Sequence, residues 1–340
     1  EEDIFDKIKK ISSESKVLID EKATYIFYDL LKKKKVLSNT TSYICSLEKA
    51  KKNKVEIKNS IFTHKIDAIA MIKFMYWLDN QSKYSGLDEF YLLEKLDEFR
   101  KESDAYFCPS FSTISAIGKS GSIIHYAPSK EKSNTIKEGD LYLCDSGGHY
   151  FSGTTDLTRT FLIGKKKTNK DFKSYYTKVL KGHINLSMTR FPKNTKGVQL
   201  DSIARYYLWQ GGLDYNHGTS HGVGNFLSVH EGPQSISKSL INVPIEEGMV
   251  LSNEPGLYLE NQFGIRIENL VYVKKSKYKN FLEFATLTMV PYEKKLIDKS
   301  QLENDQIEWI NEYHRKIYKL LAPYLKTKQN RWLEIKTSPI

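Results

Sequence analysis

Residues 141–164 read LYLCDSGGHYFSGTTDLTRTFLIG, and much of what can be inferred about the fold starts from this stretch. Apolar and polar residues alternate on either side of a glycine-rich centre, a pattern that predicts two antiparallel strands joined through Ser-Gly. The stretch contains two acids eleven positions apart, Asp145 and Asp156. Because strand side chains alternate between faces, both acids are expected to face each other across the hairpin and to point inward.

A second hairpin of the same kind is predicted further along the chain. Glu254 lies in MVLSNEPGLY, and Glu268 follows fourteen positions later in FGIRIEN. Between the two hairpins, His221 lies in the segment HGTSHGVG, whose glycines permit a close approach of the backbone. Four carboxylates and one imidazole are therefore expected to meet at one site.

Such a cluster of acids predicts bound metal. Four carboxylates packed together repel one another strongly, and a dication removes that penalty. The oxygen-rich set suits manganese, cobalt or iron better than a structural zinc site rich in cysteine would. Two such ions can share a water, lower its pKa and direct it at a carbonyl group. Each acid by itself could be an ordinary turn residue, but that interpretation is weak for all four in glycine-rich apolar strands.

Histidine usage supports the same site. Of eight histidines, four lie in the motifs SIIHYAP, HGTSHGVG and SVHEGP. Besides His221, these are His125, His217 and His230, which we expect near the metals without binding them. A neutral imidazole there can donate to a substrate carbonyl or stabilise an oxyanion. The other histidines are interpreted as ordinary core or surface residues: His64, His149, His183 and His314.

Arg266 is expected to support the carboxylates. It lies two positions before Glu268 and therefore faces the same side of its strand. It would brace the acids as a hydrogen-bonding partner behind the ligands, the alternative being a simple buried ion pair. Competing catalytic motifs are missing from the sequence: it contains no GxSxG elbow, no HExxH helix and no GxGxxG or phosphate-binding loop.

The composition narrows the class of protein. The chain has 340 residues, 40% of them hydrophobic, and three cysteines with no pairing pattern. No apolar run reaches the ~18 residues of a membrane span, so we expect a cytoplasmic protein and no membrane partner. The net charge of +11 comes mostly from lysine runs at 32–35, 51–54 and 165–170. These runs lack interleaved aromatic residues, so solvated loops are preferred over a nucleic-acid surface.

Two regions are predicted along the chain. Residues 1–52 are expected to be the end of a preceding α/β domain whose beginning is absent, because this piece is too small to bury a core. Residues 53–340 are expected to form a catalytic domain with a helical C-terminal extension over 301–336. Short strands are predicted at 42–47 and 122–126. The expected fold class is α/β, in an α+β arrangement of two similar halves, each with helices followed by a hairpin.

Three long segments carry a resemblance to a known family: DSGGHYFSGTTDLTRT, HGTSHGVGNFLSVHEGP and EPGLYLENQFGIRIEN. They closely resemble the pita-bread metallopeptidases, and among these the cytosolic aminopeptidase P, or Xaa-Pro aminopeptidase, group. The match runs from about Asn53 to Ile340. It includes the C-terminal segments LTMVPYEKKLID and WINEYHRKIY, which separate this group from prolidases and methionine aminopeptidases.

The resemblance implies roles for the metal ligands. Asp145 would chelate one manganese ion, Asp156 and Glu268 would bridge two, and His221 and Glu254 would bind the second. A hydroxide held between the ions would attack the scissile carbonyl. Two departures from the family pattern, a serine before His221 and an asparagine before Glu254, remove no ligand and are expected to tune metal affinity.

The resemblance also implies a substrate and partners. His230 would contact the substrate near the scissile bond, His125 and His217 would shape the pocket around proline, and Glu254 would assist proton movement. The expected activity is removal of the N-terminal residue from peptides with proline second, by a homodimer. The alternatives are an Xaa-Pro dipeptidase (prolidase) and a non-catalytic binding protein with the same fold.

Overall fold

The computed structural model of the chain describes residues 2–42, 44–164 and 168–340. The chain divides into two compact units, Glu1–Lys49 and Ala50–Ile340. Every residue predicted to bind metal or substrate belongs to the second unit. Within the described ranges, no helix combines the length and the apolar character needed to cross a bilayer.

The first unit is a small α/β piece. Its elements are α1 (Glu2–Lys10), β1 (Val17–Asp20), α2 (Tyr25–Lys33), β2 (Leu37–Thr41) and α3 (Ile44–Ala50). The two strands, which α2 separates in sequence, pair in parallel. The strand predicted at 42–47 is wrong, because the strand ends at Thr41 and a helix follows. That helix continues with leucine, glutamate, lysine and alanine, which are good helix formers, so helix propensity outweighs the short apolar run.

The lysine runs differ in exposure, and Lys52 in the run at 51–54 is buried, at 6% exposure. In the run at 32–35, Lys33 pairs with Asp29 one helical turn away, and its side chain is mostly exposed. In the run at 51–54, the central asparagine caps the helix that follows. Residues 165–167, the start of the third run, lie outside the described residues.

In its described residues, the second unit contains six α-helices, interspersed with short 3-10 turns. The helices are α4 (Lys54–Asp79), α5 (Glu89–Lys101), α6 (Lys170–Met188), α7 (Gly197–Trp209), α8 (Asn304–Leu321) and α9 (Thr327–Thr337). The 3-10 turns are Gly118–Ser122, Lys294–Leu296, Lys299–Gln301 and Ala322–Tyr324. Asp88 is the N-cap of α5, and its side chain accepts a hydrogen bond from the Tyr91 N–H.

The strands of this unit form antiparallel sheets. They are β3 (Tyr106–Pro109), β4 (Ile114–Ile117), β5 (Leu141–Ser146), β6 (Gly148–Tyr150), β7 (Gly153–Thr154), β8 (Leu157–Leu162), β9 (Arg190–Pro192), β10 (Ser220–His221), β11 (Ser235–Ile236), β12 (Val250–Asn253), β13 (Gly256–Leu259), β14 (Phe263–Arg266), β15 (Asn269–Lys275) and β16 (Phe281–Thr286). Three larger sheets have the strand orders β3-β6-β7, β4-β5-β8 and β12-β15-β16-β9, while β13-β14 and β10-β11 are separate pairs. Helices α4 and α5 precede strands β3 to β8. Helices α6 and α7, with the short strand β9 between them, precede strands β10 to β16, as expected for two similar halves.

One further prediction of secondary structure is wrong. Residues 122–126 form no strand, because Gly118–Ser122 is a 3-10 turn and irregular backbone follows it. The C-terminal stretch 301–336 is helical, as predicted, and is divided into α8 and α9. Pro323 lies at the break, where its ring and missing N–H prevent α8 from continuing.

One hydrophobic core joins the helices to the strands that carry the predicted ligands. Buried side chains from α4, α5, α6 and α8 pack with those of β5, β8, β13 and β14. Four of these side chains are fully buried: Met71 and Phe74 of α4, Tyr142 of β5 and Ile265 of β14. The hairpin strands are therefore held on one side by the core, which leaves their other side to form the site.

The close approach of β5 and β8 requires glycine at position 147. A Cβ atom there would lie 1.9 Å from the carbonyl oxygen of Thr155 and 2.4 Å from the Ser110 hydroxyl oxygen. That hydroxyl already donates to the Thr155 carbonyl at 2.8 Å. Because these are backbone and buried neighbours, they have little room to move, so the glycine keeps the segment between Asp145 and Asp156 tightly folded.

We predict that Gly147→Ala lowers the free energy of unfolding by about 1–3 kcal/mol or more, the usual cost of inserting an atom into a packed site. Urea unfolding would measure it. Gly211→Ala is the matched control, because its added Cβ would meet only the Lys178 side chain at 3.3 Å and the Leu208 carbonyl at 3.4 Å. Equal stability of the two variants would contradict this account of the hairpin.

Candidate active site

The first acid pair lies on the hairpin of β5 and β8. Asp145 lies directly opposite Thr158, and Asp156 precedes Thr158 by two positions. The two acids are therefore diagonal neighbours on one face rather than directly opposed, because the register of the ladder pairs Asp145 with Thr158. Both side chains are buried, at 8% and 3% exposure.

The second acid pair has the opposed geometry that the sequence predicts. Asn253 pairs with Asn269 in the β12–β15 ladder, and Gly256 pairs with Arg266 in the β13–β14 ladder. Glu254 and Glu268 lie at matching positions between these two pairs, so the same register brings them opposite each other. Glu268 is 1% exposed.

Three of the acids lie around His221, and Asp145 joins them through Asp156 and Glu268. Ligand atoms lie within 4.8 Å of one another in three overlapping groups: Asp145, Asp156 and Glu268; His221, Glu254 and Glu268; and Asp156, His221 and His230. We call Asp145, Asp156, His221, Glu254 and Glu268 the acidic cluster. The structure thus brings together residues from both hairpins and from β10.

His221 presents its Nε2 atom to the acids. Its Nδ1 lies 3.0 Å from the Gly222 carbonyl oxygen, which can only accept, so Nδ1 carries a proton. Nε2 lies 3.4 Å from both Asp156 Oδ2 and Glu254 Oε1. In the neutral ring Nε2 carries a lone pair, and this lone pair can face two carboxylates favourably only when a metal ion or a proton lies between them.

Three buried carboxylate oxygens support a cation site in the cluster. Among the described residues, no hydrogen-bond donor reaches Asp145 Oδ1, Asp156 Oδ1 or Glu268 Oε1. A buried oxygen without a partner is costly, whereas divalent cations prefer such carboxylate oxygens as ligands. The donor set therefore fits divalent cations, as expected from the sequence.

The protonation equilibria of the cluster reflect the same crowding. Burial first, and then the charges of neighbouring acids, raise the pKa of Asp156 to about 6, that of Glu254 to about 7, and that of Glu268 well above its usual range. Burial would lower the pKa of His221, but its bond to Asp156 and the charge of Glu254 raise it to about 9. Without metal, protons would therefore occupy the place that cations fill.

Arg266 braces the cluster, as predicted, and also reaches beyond it. Nη2 donates to Asp145 Oδ2 at 2.5 Å, and Nη1 donates to the Tyr258 hydroxyl at 2.6 Å. The Tyr258 hydroxyl lies 2.9 Å from His217 Nε2, while His217 Nδ1 faces the Gly218 carbonyl. His217 Nδ1 therefore carries the proton, and Nε2 accepts from tyrosine. Burial, with the charge of Arg266, lowers the pKa of His217 to about 4, so this ring is neutral.

The acidic cluster lines a cavity of about 270 Å³. All four motif histidines line it, so His125, His217 and His230 lie beside the cluster as predicted. The rings of His230 and His221 meet edge to face at 4.3 Å, and burial lowers the pKa of His230. A larger cavity of about 590 Å³ lies around Trp332 and contains none of the predicted site residues.

Several site residues escaped the sequence analysis. Phe111, Ile114 and Ile124 form an apolar wall of the cavity. The Thr158 hydroxyl donates to Glu268 Oε2 at 2.7 Å, and Tyr258 links Arg266 to His217. Alternation along β8 could have identified Thr158, two positions after Asp156, but apolar and tyrosine side chains carry no sequence signal that separates a cavity wall from the core.

Two family models match the chain. The model of metallopeptidase family M24 matches residues 62–275, and that of the C-terminal region of peptidase M24 matches residues 280–340. The first contains all five residues of the acidic cluster and the three further histidines that line the cavity.

Individual relatives agree with the family models. Aminopeptidase P1 of Arabidopsis thaliana is 39% identical over 345 residues, which cover 93% of this chain and 53% of the relative. The crystal structure of an X-prolyl aminopeptidase from Caenorhabditis elegans, described as a cytosolic enzyme with a di-nuclear active site, matches with a TM-score of 0.90 at 36% identity. It is matched over 99% of this chain and 56% of its own length.

A prolidase from Pyrococcus horikoshii is a more distant structural match, with a TM-score of 0.69 at 27% identity over 85% of this chain and 78% of its own. The chain spans about half the length of the curated relatives it matches. The predicted pita-bread architecture is confirmed by the family models and the nematode structure. The chain belongs to metallopeptidase family M24.

Proposed function

We propose that this chain carries the active site of a two-metal Xaa-Pro aminopeptidase, which removes the first residue of peptides with proline in the second position. The observation that carries this proposal is the convergence of Asp156, Glu254 and Glu268 on His221, with Asp145 joined to Asp156 and Glu268. Three buried carboxylate oxygens of this cluster lack donors among the described residues. Similarity to proteins named aminopeptidase P and X-prolyl aminopeptidase supports the substrate class.

The cations are proposed to be two Mn(II) ions. Asp145, Asp156, His221, Glu254 and Glu268 would hold them, since a set of oxygens with one imidazole suits manganese. When bound, such ions supply a lowered pKa for a water and polarisation of a carbonyl oxygen. The nematode structure supports the number of ions, because that enzyme is described as di-nuclear.

Arg266 and its partners would keep the cavity wall in place. The guanidinium neutralises Asp145 on one side and holds the Tyr258 hydroxyl on the other. Tyr258 in turn fixes the ring of His217, whose low pKa keeps it uncharged. We propose that this ordered, uncharged edge forms the proline side of the pocket together with His125.

His230 is proposed to stabilise the developing oxyanion. Its ring is exposed to the cavity and lies beside His221, and its lowered pKa favours the neutral form. A neutral imidazole has one N–H, which could donate to the carbonyl oxygen as that atom gains charge. Glu254, whose Oε1 accepts from the Ser252 hydroxyl, is proposed to carry a proton toward the leaving amine.

The chemistry of proline explains the need for a dedicated pocket. The bond before proline is a tertiary amide without an N–H. In a pocket with a polar group placed to accept a hydrogen bond from that N–H, the acceptor would stay unpaired when a proline peptide binds, and binding energy would be lost. The apolar wall of Phe111, Ile114 and Ile124 makes no such demand, so the cavity can accept a substrate that lacks the donor.

The alternative is an Xaa-Pro dipeptidase, favoured by the likeness to the archaeal prolidase. A dipeptidase must recognise the free carboxylate of its substrate, for which arginine or lysine is the usual partner. Among the described residues that line the cavity, Arg266 alone is of these two types, and its Nη atoms already bind Asp145 and Tyr258. This favours longer peptides, whose carboxylate lies elsewhere.

We also propose that the protein is located in the cytoplasm and forms a homodimer. The nematode enzyme is described as cytosolic, and the resemblance of the sequence to its group implies a dimer. We propose no nucleic-acid partner, because the lysine runs at 32–35 and 51–54 lack interleaved aromatic residues.

We predict that His221→Ala and Glu254→Ala each lower turnover of an Xaa-Pro-Yaa peptide by more than about 100-fold, because loss of a ligand should exceed the effect of losing an outer partner. Chelation should have the same effect on the unchanged chain, and added Mn(II) should reverse it. His149→Ala is the matched control, since this histidine binds the Thr154 hydroxyl and does not line the cavity. Full activity of the chelated chain would refute the proposal.

We expect His230→Ala to lower kcat by about 10²–10³-fold, the usual cost of losing an oxyanion donor, while two Mn(II) ions per chain remain bound. Steady-state kinetics with metal analysis of the dialysed protein would measure both. If the variant loses a metal ion in proportion to its activity, His230 is a ligand instead.

Substrate length should separate the two candidate enzymes. We expect Arg-Pro-Pro peptides of three or more residues to be cleaved after the first residue, with a higher kcat/KM than the dipeptide Arg-Pro. Mass spectrometry of the products would follow both. Cleavage restricted to the dipeptide would instead support the prolidase.

A further inference from the structure

A buried arginine lies directly behind Glu268. Arg159, on β8, is fully buried, and its Nη1 donates to the carbonyl oxygens of Thr158 at 2.9 Å and Glu268 at 2.6 Å. Its Nη2 donates to Asn269 Oδ1 and to the Val290 carbonyl, each at 2.7 Å. Within the described residues, the hydrogen bonds of Arg159 go to carbonyl, amide and hydroxyl oxygens and none to a carboxylate, so its donors hold backbone in place.

Tyr292 lies against this arginine and reaches both hairpin strands. The Arg159 Cζ atom is 4.8 Å from the centre of the Tyr292 ring. The Tyr292 hydroxyl oxygen lies 3.0 Å from Asn269 Nδ2 and 3.0 Å from His183 Nε2. On its other side, His183 Nδ1 lies 3.0 Å from the Asn253 carbonyl oxygen.

The direction of these hydrogen bonds follows from the histidine. Because the Asn253 carbonyl can only accept, His183 Nδ1 carries the proton and Nε2 accepts from the Tyr292 hydroxyl. Burial, with the nearby charge of Arg159, lowers the pKa of His183 to about 3, so the ring is neutral. The Tyr292 hydroxyl thus donates its proton to His183, and one of its lone pairs accepts a hydrogen bond from the Asn269 amide.

This chain of bonds ends on the residues that flank the two glutamates. Asn253 precedes Glu254, Asn269 follows Glu268, and the two asparagines are paired in the β12–β15 ladder. A single hydroxyl therefore contacts the amide of one asparagine directly and the backbone of the other through one imidazole. Tyr292 itself belongs to residues 280–340, the part of the chain matched by the C-terminal family model.

We propose that Tyr292, with Arg159, is a positioning residue for Glu254 and Glu268, so that the C-terminal region supports the metal site from behind. The inference rests on the proposed two-metal site. Ligand atoms must lie within about 0.2 Å of their ideal distances to bind a metal well, while the two glutamates repel each other. Hydrogen bonds that hold the backbone beside Glu254 and Glu268 determine the positions of the two carboxylates before metal binds.

The test is Tyr292→Phe in the full chain. This change keeps the ring under Arg159 and removes only the hydroxyl that joins Asn269 to His183. We expect affinity for at least one of two Mn(II) ions, measured by titration calorimetry, to fall about 10–100-fold, as for other groups behind metal ligands. The visible absorption of the Co(II)-loaded protein should change too, because that spectrum reports ligand geometry and would not respond to stability alone.

Tyr176→Phe is the matched control. Tyr176 is also fully buried, and its hydroxyl accepts from the Glu293 N–H at 3.1 Å, one residue beyond Tyr292. Its loss removes one buried hydroxyl without touching a residue next to a ligand. If Tyr292→Phe binds Mn(II) like Tyr176→Phe, with an unchanged Co(II) spectrum, this inference is overturned and the proposed function stands. If the unchanged chain binds no Mn(II), both are overturned.

Discussion

Mutual repulsion among buried carboxylates is the constraint on which the rest of the structure depends. Ligand oxygens of the acidic cluster lie within 4.8 Å of one another in each group. Two unit charges at that distance repel by about 3 kcal/mol at an effective dielectric constant of about 20. Arg266 compensates one acid, Asp145, and the Thr158 hydroxyl donates to another, Glu268. The remaining repulsion must be balanced by bound cations, or by protons when cations are absent.

Backbone pairing is what holds these charges together against that repulsion. The ladder hydrogen bonds on either side of Glu254 and Glu268 belong to buried strands, β13 and β14 in the large core and β12 and β15 in a smaller cluster with Val223. The two acids therefore cannot separate without breaking the sheet. At the other hairpin, the absence of a side chain on Gly147 lets the strands approach closely. Arg159 adds to this backbone support, because its Nη1 donates to the Glu268 carbonyl oxygen, and carbonyl oxygens are fixed more firmly than side chains.

The sequence predicted those parts of the site that depend on local pattern. Alternation and glycine spacing were sufficient for the opposed pair Glu254 and Glu268, because both lie in one ladder register. The diagonal position of Asp156 was missed, since a shift of two residues preserves the face and leaves the pattern unchanged. Tyr292 could not be found at all. Its partners lie 109 positions away at His183 and 23 away at Asn269, and nothing local marks such contacts.

The charge of the cluster bears on how many cations it holds. With His221 neutral, its four carboxylates and Arg266 sum to −3. One dication would leave −1, which would repel a carbonyl oxygen as that atom gains negative charge. Two dications would leave +1, or zero once the expected hydroxide is counted, and would not repel it, whereas catalysis requires stabilisation that grows with the developing charge. The same count explains why Arg266 is compatible with a cation site, because its single charge offsets Asp145 while leaving three negative charges for metal.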